Sequence, residues 1–244
     1  MKPLDFQNYR QIVVLTGAGV SAPSGIPTFR GPLGGLAQEL LPVSDGRRVR
    51  ELLPQMWELY GRLRGGSANV HPNVAHYALA RWQKKWQDRA QITLVTQNVD
   101  GLQTRAGSED VVEIHGSLLR SRCLNPTCPN AEPFEDLVVP VEVPICPICG
   151  DALRPDITLF HEALPVEALH RTKRALRFCD LFLAIGTSGS VAPASEFVRS
   201  AFDAGARTIL VNLTPLEVAS PYFGETILGR VEEILPSLLG VEQD

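Results

Sequence analysis

A chain of 244 residues, 44% hydrophobic and 20% charged, can form one large domain that carries a smaller module. Its net charge of −4 argues against the basic surface that nucleic acids or anionic membranes require. Its apolar runs all fall short of the roughly 18–20 residues of a membrane span, and its first residues lack the apolar stretch of a secretory signal. We therefore expect a cytoplasmic globular protein that binds neither membrane nor nucleic acid.

Short apolar segments rich in β-branched residues predict buried strands at Gln11–Thr16, Gln91–Thr96, Val111–Ile114, Asp180–Ile185 and Thr208–Val211. Helical patterns occupy Pro72–Trp86, Pro165–Phe178, Ala192–Ala204 and Val231–Leu239. Strands that alternate with helices are typical of a parallel sheet, and apolar strands agree because helices then cover both faces. The predicted fold class is α/β, with a doubly wound parallel sheet.

Two segments interrupt this alternation. Residues 34–66 have a helical pattern without a clear strand, and residues 120–154 are rich in proline and cysteine. We interpret both as parts of a smaller module inserted into the large domain. The large domain then comprises residues 1–33, 67–119 and 155–244.

A glycine-rich turn follows the first predicted strand. The segment from Gly17 to Ala22 matches G-x-G-x-x-G/A, the turn that lets a dinucleotide pyrophosphate approach the backbone. The acidic residue expected about 20 positions later, at the end of a second strand, is missing, because residues 23–35 read as loop. An ordinary dehydrogenase therefore fits poorly, and a turn that only changes the chain direction remains an alternative.

Polar residues also follow the other predicted strands. They are Gln97, Asn98 and Asp100 after the second strand, His115 after the third, Gly186, Thr187 and Ser188 after the fourth, and Asn212 after the fifth. Open α/β sheets bind ligands at the carboxyl ends of their strands. The alternatives are helix capping for the group after the second strand, a plain strand-to-helix turn for residues 186–188, and a structural role for His115. His115 shares a sheet edge with the glycine turn, whereas we interpret His71, His76 and His170 as structural.

Four of the five cysteines form two close pairs. Cys123, Cys128, Cys146 and Cys149 have the pattern C-x4-C and C-x2-C with 17 residues between the pairs. This arrangement suits one tetrahedral, structural zinc ion, although the first pair is wider than usual. We interpret Cys179 as an inert buried thiol.

Several segments in order resemble the sirtuin family over nearly the whole chain. They are residues 17–31 (GAGVSAPSGIPTFRG), 72–79 (PNVAHYAL), 96–102 (TQNVDGL), 115–116 (HG), the four cysteines, 186–188 (GTS) and 211–213 (VNL). The resemblance implies a Rossmann-like large domain and a small domain made of a helical segment and a four-cysteine zinc ribbon. It also accounts for the missing acidic residue, because in sirtuins the segment after the glycine turn is a loop that closes over NAD.

The resemblance further implies which residues bind NAD. The implied set is Gly17, Ala18, Gly19, Ser21, Thr28, Phe29, Arg30, Gln97, Asn98, Asp100, Gly186, Thr187, Ser188, Asn212 and Val231. Within it, Gln97, Asn98 and Asp100 would line the nicotinamide-ribose pocket. Phe29 would shield the reacting face after nicotinamide leaves.

The implied reaction consumes NAD. The acyl oxygen of an acyl-lysine attacks C1′ of the nicotinamide ribose, and His115, as general base, then helps a ribose hydroxyl attack the O-alkylamidate. The implied catalytic residues are His115 and Asn98. The products are lysine, nicotinamide and O-acyl-ADP-ribose.

The implied substrate-binding residues are Tyr60, Arg64, Phe160, His161, Glu162 and Val191. Sirtuins that prefer acidic acyl groups carry Tyr-x-x-Arg, whereas here Leu63 follows Tyr60 at that spacing and Arg64 comes one residue later. Phe160-His161-Glu162 departs from the usual Phe-Gly-Glu, a segment that pairs its backbone with the substrate peptide.

The predicted function is NAD-dependent protein lysine deacylation, with acetyl as the preferred group and acyl-lysine proteins as partners. Desuccinylation or demalonylation, and mono-ADP-ribosyl transfer from the same site, are the alternatives. A zinc-ribbon binding module with a degenerate NAD fold is a rival from another class. The intact Asn98 and His115 count against it.

Overall fold

The computed structural model describes residues 3–29, 35–189 and 191–241. Its strands are β1 (Gln11–Thr16), β2 (Gln91–Thr96), β3 (Val112–Glu113), β4 (Gly116–Cys123), β5 (Phe134–Glu135), β6 (Leu153–Ile157), β7 (Leu181–Ile185), β8 (Arg207–Asn212) and β9 (Glu225–Leu228). Its α-helices are α1 (Ala37–Leu40), α2 (Val49–Ala68), α3 (Val74–Trp86), α4 (Leu102–Arg105), α5 (Val166–Arg177), α6 (Phe197–Asp203) and α7 (Val231–Leu239). None of the described helices is both long and apolar enough to cross a lipid bilayer.

The main sheet is six-stranded and parallel throughout, in the order β3-β2-β1-β7-β8-β9. Counted within this sheet, the order is 3-2-1-4-5-6, that of a Rossmann fold. The order in which the chain adds strands reverses between β1 and β7: β2 and β3 lie on one side of this boundary, and β8 and β9 lie on the other. A crevice at the carboxyl ends of these two strands is where such sheets bind their ligands. The predicted doubly wound α/β class is confirmed.

Helices cover both faces of this sheet because its central strands are apolar on both. Successive side chains of a strand point to opposite faces, so Ile12 and Val14 enter one core cluster and Val13 and Leu15 enter the other. Helices α3 and α7 pack against the first face, with Trp82 as the largest buried side chain. Helices α5 and α6 pack against the second face.

A smaller antiparallel sheet of order β5-β4-β6 lies beside helix α2. It has its own apolar clusters, one around Met56, Tyr60 and Leu118 and one around Trp57 and three cysteines. The sequence analysis predicted none of these three strands, nor the edge strand β9. The limits proposed for the inserted module, residues 34–66 and 120–154, stay predictions.

Candidate active site

The crevice between β1 and β7 depends on close contact between two glycine turns. A Cβ atom at Gly17 would lie 2.7 Å from the carbonyl oxygen of Gly186, and one at Gly19 would lie 2.8 Å from the Gly186 Cα. Gly186 itself has φ +62°, which disfavours other residues. The N–H of Gly19 donates to the Gly186 carbonyl at 2.9 Å. The glycine pattern therefore serves the approach of two strand ends as well as any ligand.

A buried hydroxyl, that of Ser21, connects the polar residues of this crevice. It donates to Asp100 Oδ2 at 2.7 Å and accepts from Asn98 Nδ2 at 3.1 Å. Asn98 Nδ2 also donates to the Gly17 carbonyl at 3.1 Å. Two of the three residues predicted after the second strand, Asn98 and Asp100, are thus held against the glycine turn.

His76 belongs to the same network, although the sequence analysis gave it only a structural role. Its Nδ1 accepts from the Asn73 N–H at 3.2 Å, as part of the cap that begins α3. Because Nδ1 accepts, the neutral ring carries its proton on Nε2, which lies 3.4 Å from Ser21 Oγ. Burial lowers the pKa of His76 to about 4, which keeps the ring neutral. The signal in the sequence was its place in the 72–79 block.

His115 follows β3 and lines the crevice. Its Nδ1 lies 3.0 Å from the Gln97 carbonyl, which can only accept a hydrogen bond. Nδ1 is therefore the protonated nitrogen of the neutral ring, and Nε2 retains a lone pair. Burial lowers the pKa of His115, an effect that the hydrogen bond to Gln97 opposes in part.

Thr187 links the opposite wall of the crevice to β2 and β8. Its hydroxyl accepts from Gln97 Nε2 at 3.0 Å, and its carbonyl accepts from Asn212 Nδ2 at 3.2 Å. Val231, the first residue of α7, is buried and lines the same space. These contacts bring the ends of β2, β7 and β8 together, as predicted from the parallel topology.

One cleft of about 1190 Å³ gathers most of the predicted site residues. The predicted residues that line it are Gly17, Ala18, Gly19, Ser21, Thr28, Phe29, Tyr60, Gln97, Asn98, Asp100, His115, Phe160, His161, Glu162, Gly186, Thr187, Ser188, Val191, Asn212 and Val231. Arg30 lies outside the described residues.

Arg64 is a correction to the predicted substrate-binding set. Its side chain is only 2% exposed, and its guanidinium donates to the carbonyls of Leu118, Val138 and Arg120 and pairs with Asp136 at 3.0 Å. It therefore braces the small sheet and is not free to meet an acyl carboxylate. Leu63 lines the cleft instead, next to Tyr60, whose hydroxyl is hydrogen-bonded to Ser44 Oγ at 2.7 Å.

The segment around His161 forms the outer wall of the cleft. The Phe160 N–H donates to the Ser44 carbonyl at 2.8 Å, and the Phe160 carbonyl accepts from the Gly46 N–H at 3.0 Å. The Glu162 carboxylate pairs with Arg154 at 2.6 Å, so it holds the segment in place. His161 is exposed and has φ +67°, a conformation that favours glycine.

The four predicted zinc ligands come together at the outer end of the small sheet. The sulfurs of Cys123, Cys128, Cys146 and Cys149 all lie within 4.8 Å of one another. The Sγ atoms of Cys123 and Cys149 are 3.4 Å apart, and those of Cys128 and Cys146 are 3.7 Å apart. Four thiolates about 2.3 Å from a tetrahedral zinc would be separated by about 3.8 Å. The wide first pair therefore fits one zinc ion.

The thiols of this cluster differ in pKa: burial raises the pKa values of Cys123 and Cys128, whereas that of Cys146 is lowered. Burial of Cys146 also acts to raise its pKa, but N–H groups of Cys149 and Ile148 donate to the sulfur and outweigh burial, so the pKa falls to about 6. A thiolate, which is the form that binds zinc, is thereby favoured.

A sheet of Rossmann order with a polar, glycine-lined crevice at its switch point defines a nucleotide-binding α/β protein. The model of the Sir2 family matches residues 17–193. NAD-dependent protein deacylase 1 of Pseudomonas aeruginosa is 40% identical over 94% of this chain and 93% of its own. An NAD-dependent protein deacylase of Thermus thermophilus is 41% identical over 85% of this chain and 83% of its own.

Solved structures agree with these relatives. A Sir2 homologue in complex with NAD is 33% identical, with a TM-score of 0.83 over 96% of this chain and 90% of that chain. A Sir2 protein bound to acetylated peptide is 27% identical, with a TM-score of 0.80 over 96% and 95%. The chain belongs to the Sir2 family.

Proposed function

We propose that the chain is an NAD-dependent protein lysine deacylase that transfers the acyl group to ADP-ribose and prefers acetyl-lysine. The observation that carries the proposal is the tautomer of His115, that is, which of its ring nitrogens carries the proton. Its Nδ1 is held by the Gln97 carbonyl, so Nε2 can accept a proton in the cleft that Asn98 and Asp100 also line. Relatives of similar length named as NAD-dependent protein deacylases support the same reaction.

The cleft suits a dinucleotide together with an acyl-lysine side chain. Its volume of about 1190 Å³ exceeds the 300–1,000 Å³ common for small-ligand sites. NAD, when bound, supplies an electrophilic ribose carbon with nicotinamide as leaving group. The residues proposed to hold it are Gly17, Ala18, Gly19, Ser21, Thr28, Phe29, Arg30, Gln97, Asn98, Asp100, Gly186, Thr187, Ser188, Asn212 and Val231.

His115 serves as general base in this proposal. Burial lowers its pKa, so the imidazole is neutral at pH 7 and Nε2 can take a proton from a ribose hydroxyl. The Gln97 carbonyl orients the ring and stabilises the imidazolium that forms. Proton transfer by a positioned side chain of this kind contributes about 10²- to 10⁴-fold to a rate.

Asn98 serves as the second catalytic residue. Both of its amide hydrogens are engaged, one by the Gly17 carbonyl and one by Ser21 Oγ. This fixes the direction of the Asn98 side-chain carbonyl before any ligand binds. Pre-organised polar groups avoid reorganisation during the reaction, which is the main electrostatic contribution that proteins make to catalysis.

The acyl group is proposed to enter beneath the small sheet, where Tyr60, Leu63, Leu118 and Ile157 line the cleft. These apolar surfaces suit a small neutral group. Phe160, His161, Glu162 and Val191 are proposed to flank the peptide, with acyl-lysine proteins as partners and the cytoplasm as location. The net charge of −4 supports the expectation that nucleic acids are not bound.

The test follows products by mass spectrometry with NAD and an acetyl-lysine peptide. We expect the deacetylated peptide, nicotinamide and O-acetyl-ADP-ribose in equal amounts. His115→Ala should lower turnover about 10²- to 10⁴-fold while NAD binding persists, because a general base is lost. The matched control is His170→Ala, at an exposed histidine of α5. Near-normal turnover by His115→Ala would remove this residue from the mechanism, and protein-linked ADP-ribose as the main product would indicate the transferase alternative.

A further inference from the structure

A second, much smaller cavity lies directly behind the active-site crevice. Its volume is about 10 Å³, and residues at the carboxyl ends of β1, β2 and β3 line it together with α4. The polar residues among them are Thr16, His76, Thr96, Asn98, Asp100, Gln103, Thr104 and Glu113. Asn98 and Asp100 therefore separate this cavity from the NAD cleft, because they line both.

Two buried polar atoms without a protein partner belong to residues that line this cavity. Within residues 3–29, 35–189 and 191–241, five buried side-chain nitrogen or oxygen atoms lack a hydrogen-bond partner, and Thr16 Oγ1 and Gln103 Oε1 are two of them. The side chains of Thr16 and Gln103 are 1% and 5% exposed. Leaving such atoms unsatisfied is unfavourable, so native proteins supply a partner.

The orientation of the Gln103 amide is set by the hydrogen bonds of its nitrogen, Nε2. Its Nε2 donates to Ser108 Oγ and to the His76 carbonyl. Exchanging the amide nitrogen and oxygen would place an oxygen against the His76 carbonyl, which can only accept, so the nitrogen stays on that side and Oε1 lies at the other position. The Thr16 hydroxyl can donate or accept. The two atoms therefore offer complementary hydrogen-bonding groups to a small ligand.

We propose that this cavity binds one water molecule, which bridges Thr16 Oγ1 and Gln103 Oε1 and supports Asn98 and Asp100 from behind. A probe-sized volume of roughly 10–15 Å³ with two to four polar partners is what a single buried water requires. Thr96, Asp100 and Glu113 supply the further polar groups around it. Thr16 is thereby a positioning residue, which acts on the site through the water and does not touch substrate.

The position of Thr16 explains why losing this water would slow the reaction. Thr16 ends β1 and precedes Gly17, whose carbonyl accepts from Asn98 Nδ2. It also lies opposite Thr96, whose hydroxyl accepts from the Asn98 N–H at 3.1 Å. A dry cavity would leave Thr16 Oγ1 at the end of β1 and Gln103 Oε1 in α4 without a hydrogen-bond partner.

The first test is crystallographic and does not depend on the proposed activity. In the whole chain at high resolution we expect a water peak at hydrogen-bond distance, about 2.7–3.2 Å, from Thr16 Oγ1 and Gln103 Oε1. Thr16→Ser should keep the peak, and the near-isosteric Thr16→Val should lose it. A cavity without density in the wild-type chain, or a peak in contact with neither atom, would overturn the proposal.

The second test is kinetic and rests on the proposed deacylase function. Losing one such hydrogen bond is worth about 0.5–1.5 kcal/mol, so Thr16→Val should lower kcat about 2- to 13-fold with NAD affinity little changed. Thr16→Ser should restore kcat. The control is Thr172→Val, which removes a buried hydroxyl that donates to the Ala168 carbonyl in α5. Equal kcat for Thr16→Val and Thr172→Val would refute the positioning role, even if the water is seen.

Discussion

The buried imidazole of His76 makes the stability of this protein depend on pH. The ring is 1% exposed, and burial lowers its pKa from 6.5 to about 4. Between these values the unfolded chain binds more protons than the folded chain, so stability rises with pH in this window. The contribution is fully present above pH 6.5 and is lost as the pH falls to about 4.

We predict that acidification over this window lowers the free energy of unfolding by about 3 kcal/mol through His76 alone. His76→Gln should lose this part of the pH dependence, since glutamine at this helix position can keep the capping bond without titrating. The raised pKa values of Asp100 and Glu113 and the lowered pKa of His115 also contribute, but they are common to both chains. Urea unfolding from pH 4 to pH 7 measures the difference. His170→Gln is the control, and parallel curves for wild type and His76→Gln would contradict the prediction.

His161 is held in a left-handed conformation at the edge of the cleft, with φ +67°. A side chain costs about 1–2 kcal/mol there, whereas glycine carries no such cost but loses more chain entropy. We therefore predict that His161→Gly is more stable than His161→Ala by about 0.5–1 kcal/mol. Thermal unfolding of the pair measures this.

The control pair for this prediction lies at His170, in the interior of helix α5. There alanine should be more stable than glycine by about 1 kcal/mol, since glycine is a poor helix former. At position 161 the glycine variant should be more stable than the alanine variant, the reverse of the order at position 170. If alanine is the better residue at both positions, no strain is stored at His161.

At the scale of elements, helix α2 decides which side chains face the acyl group. Successive residues of a helix are rotated by about 100°, so Leu63 and Arg64 point in different directions. Leu63 lines the cleft beside Tyr60, and Arg64 is buried against the small sheet. The arginine of the Tyr-x-x-Arg pattern is therefore replaced by an apolar side chain.

We predict that acetyl-lysine is preferred over succinyl-lysine by about 10- to 150-fold in kcat/KM, the worth of a hydrogen bond to a charged group. Leu63→Arg should raise activity on succinyl peptides relative to acetyl peptides. Arg62→Met, which changes an exposed arginine of the same helix, should leave the ratio unchanged. Equal or better wild-type activity on succinyl peptides would show that another cation meets the carboxylate.

At the scale of the whole molecule, the cysteine cluster supports the wall of the cleft. Cys123, Cys128 and Cys146 share an apolar cluster with Trp57 of α2. Trp57 Nε1 donates to the Leu153 carbonyl at 2.9 Å, and Arg50 pairs with Asp151 at 2.8 Å. Because α2 also carries Tyr60 and Leu63, a bound zinc ion would stabilise the acyl side of the cleft.

We predict that Cys146→Ser loses zinc and lowers the melting temperature, since the binding free energy of a structural metal is folding free energy. Cys179→Ser should retain zinc, because Cys179 lies in the large-domain core and burial raises its pKa to about 12. Metal analysis with thermal unfolding measures both. A zinc content near zero in wild-type protein purified without chelator would refute a zinc site.

The sequence alone determined five of the six strands of the main sheet, and it predicted that the polar residues at their carboxyl ends gather at one edge. Strands β1 and β2 and helix α7 lie at the predicted residues, and β3 is two residues shorter than predicted. These segments are apolar because both faces of the sheet are covered, so their pattern is strong. Parallel strands also present their carboxyl ends at one edge, which is why His115 and Asn98 could be placed together without coordinates.

Only the tertiary structure decided the small sheet and the places of His76 and Arg64, because these features depend on partners that are distant in the chain. Strands β4 and β6 are rich in charge, so their sequence pattern did not predict strands. The sheet accommodates these charges because Arg120 and Asp156 pair across it at 3.0 Å, a contact that the sequence does not show. His76 joins the site only because α3 packs its first turn against Ser21. Arg64 leaves the site because carbonyls of β4 take up its guanidinium. A sequence pattern shows which way a side chain points along its own element, but only packing shows what it meets.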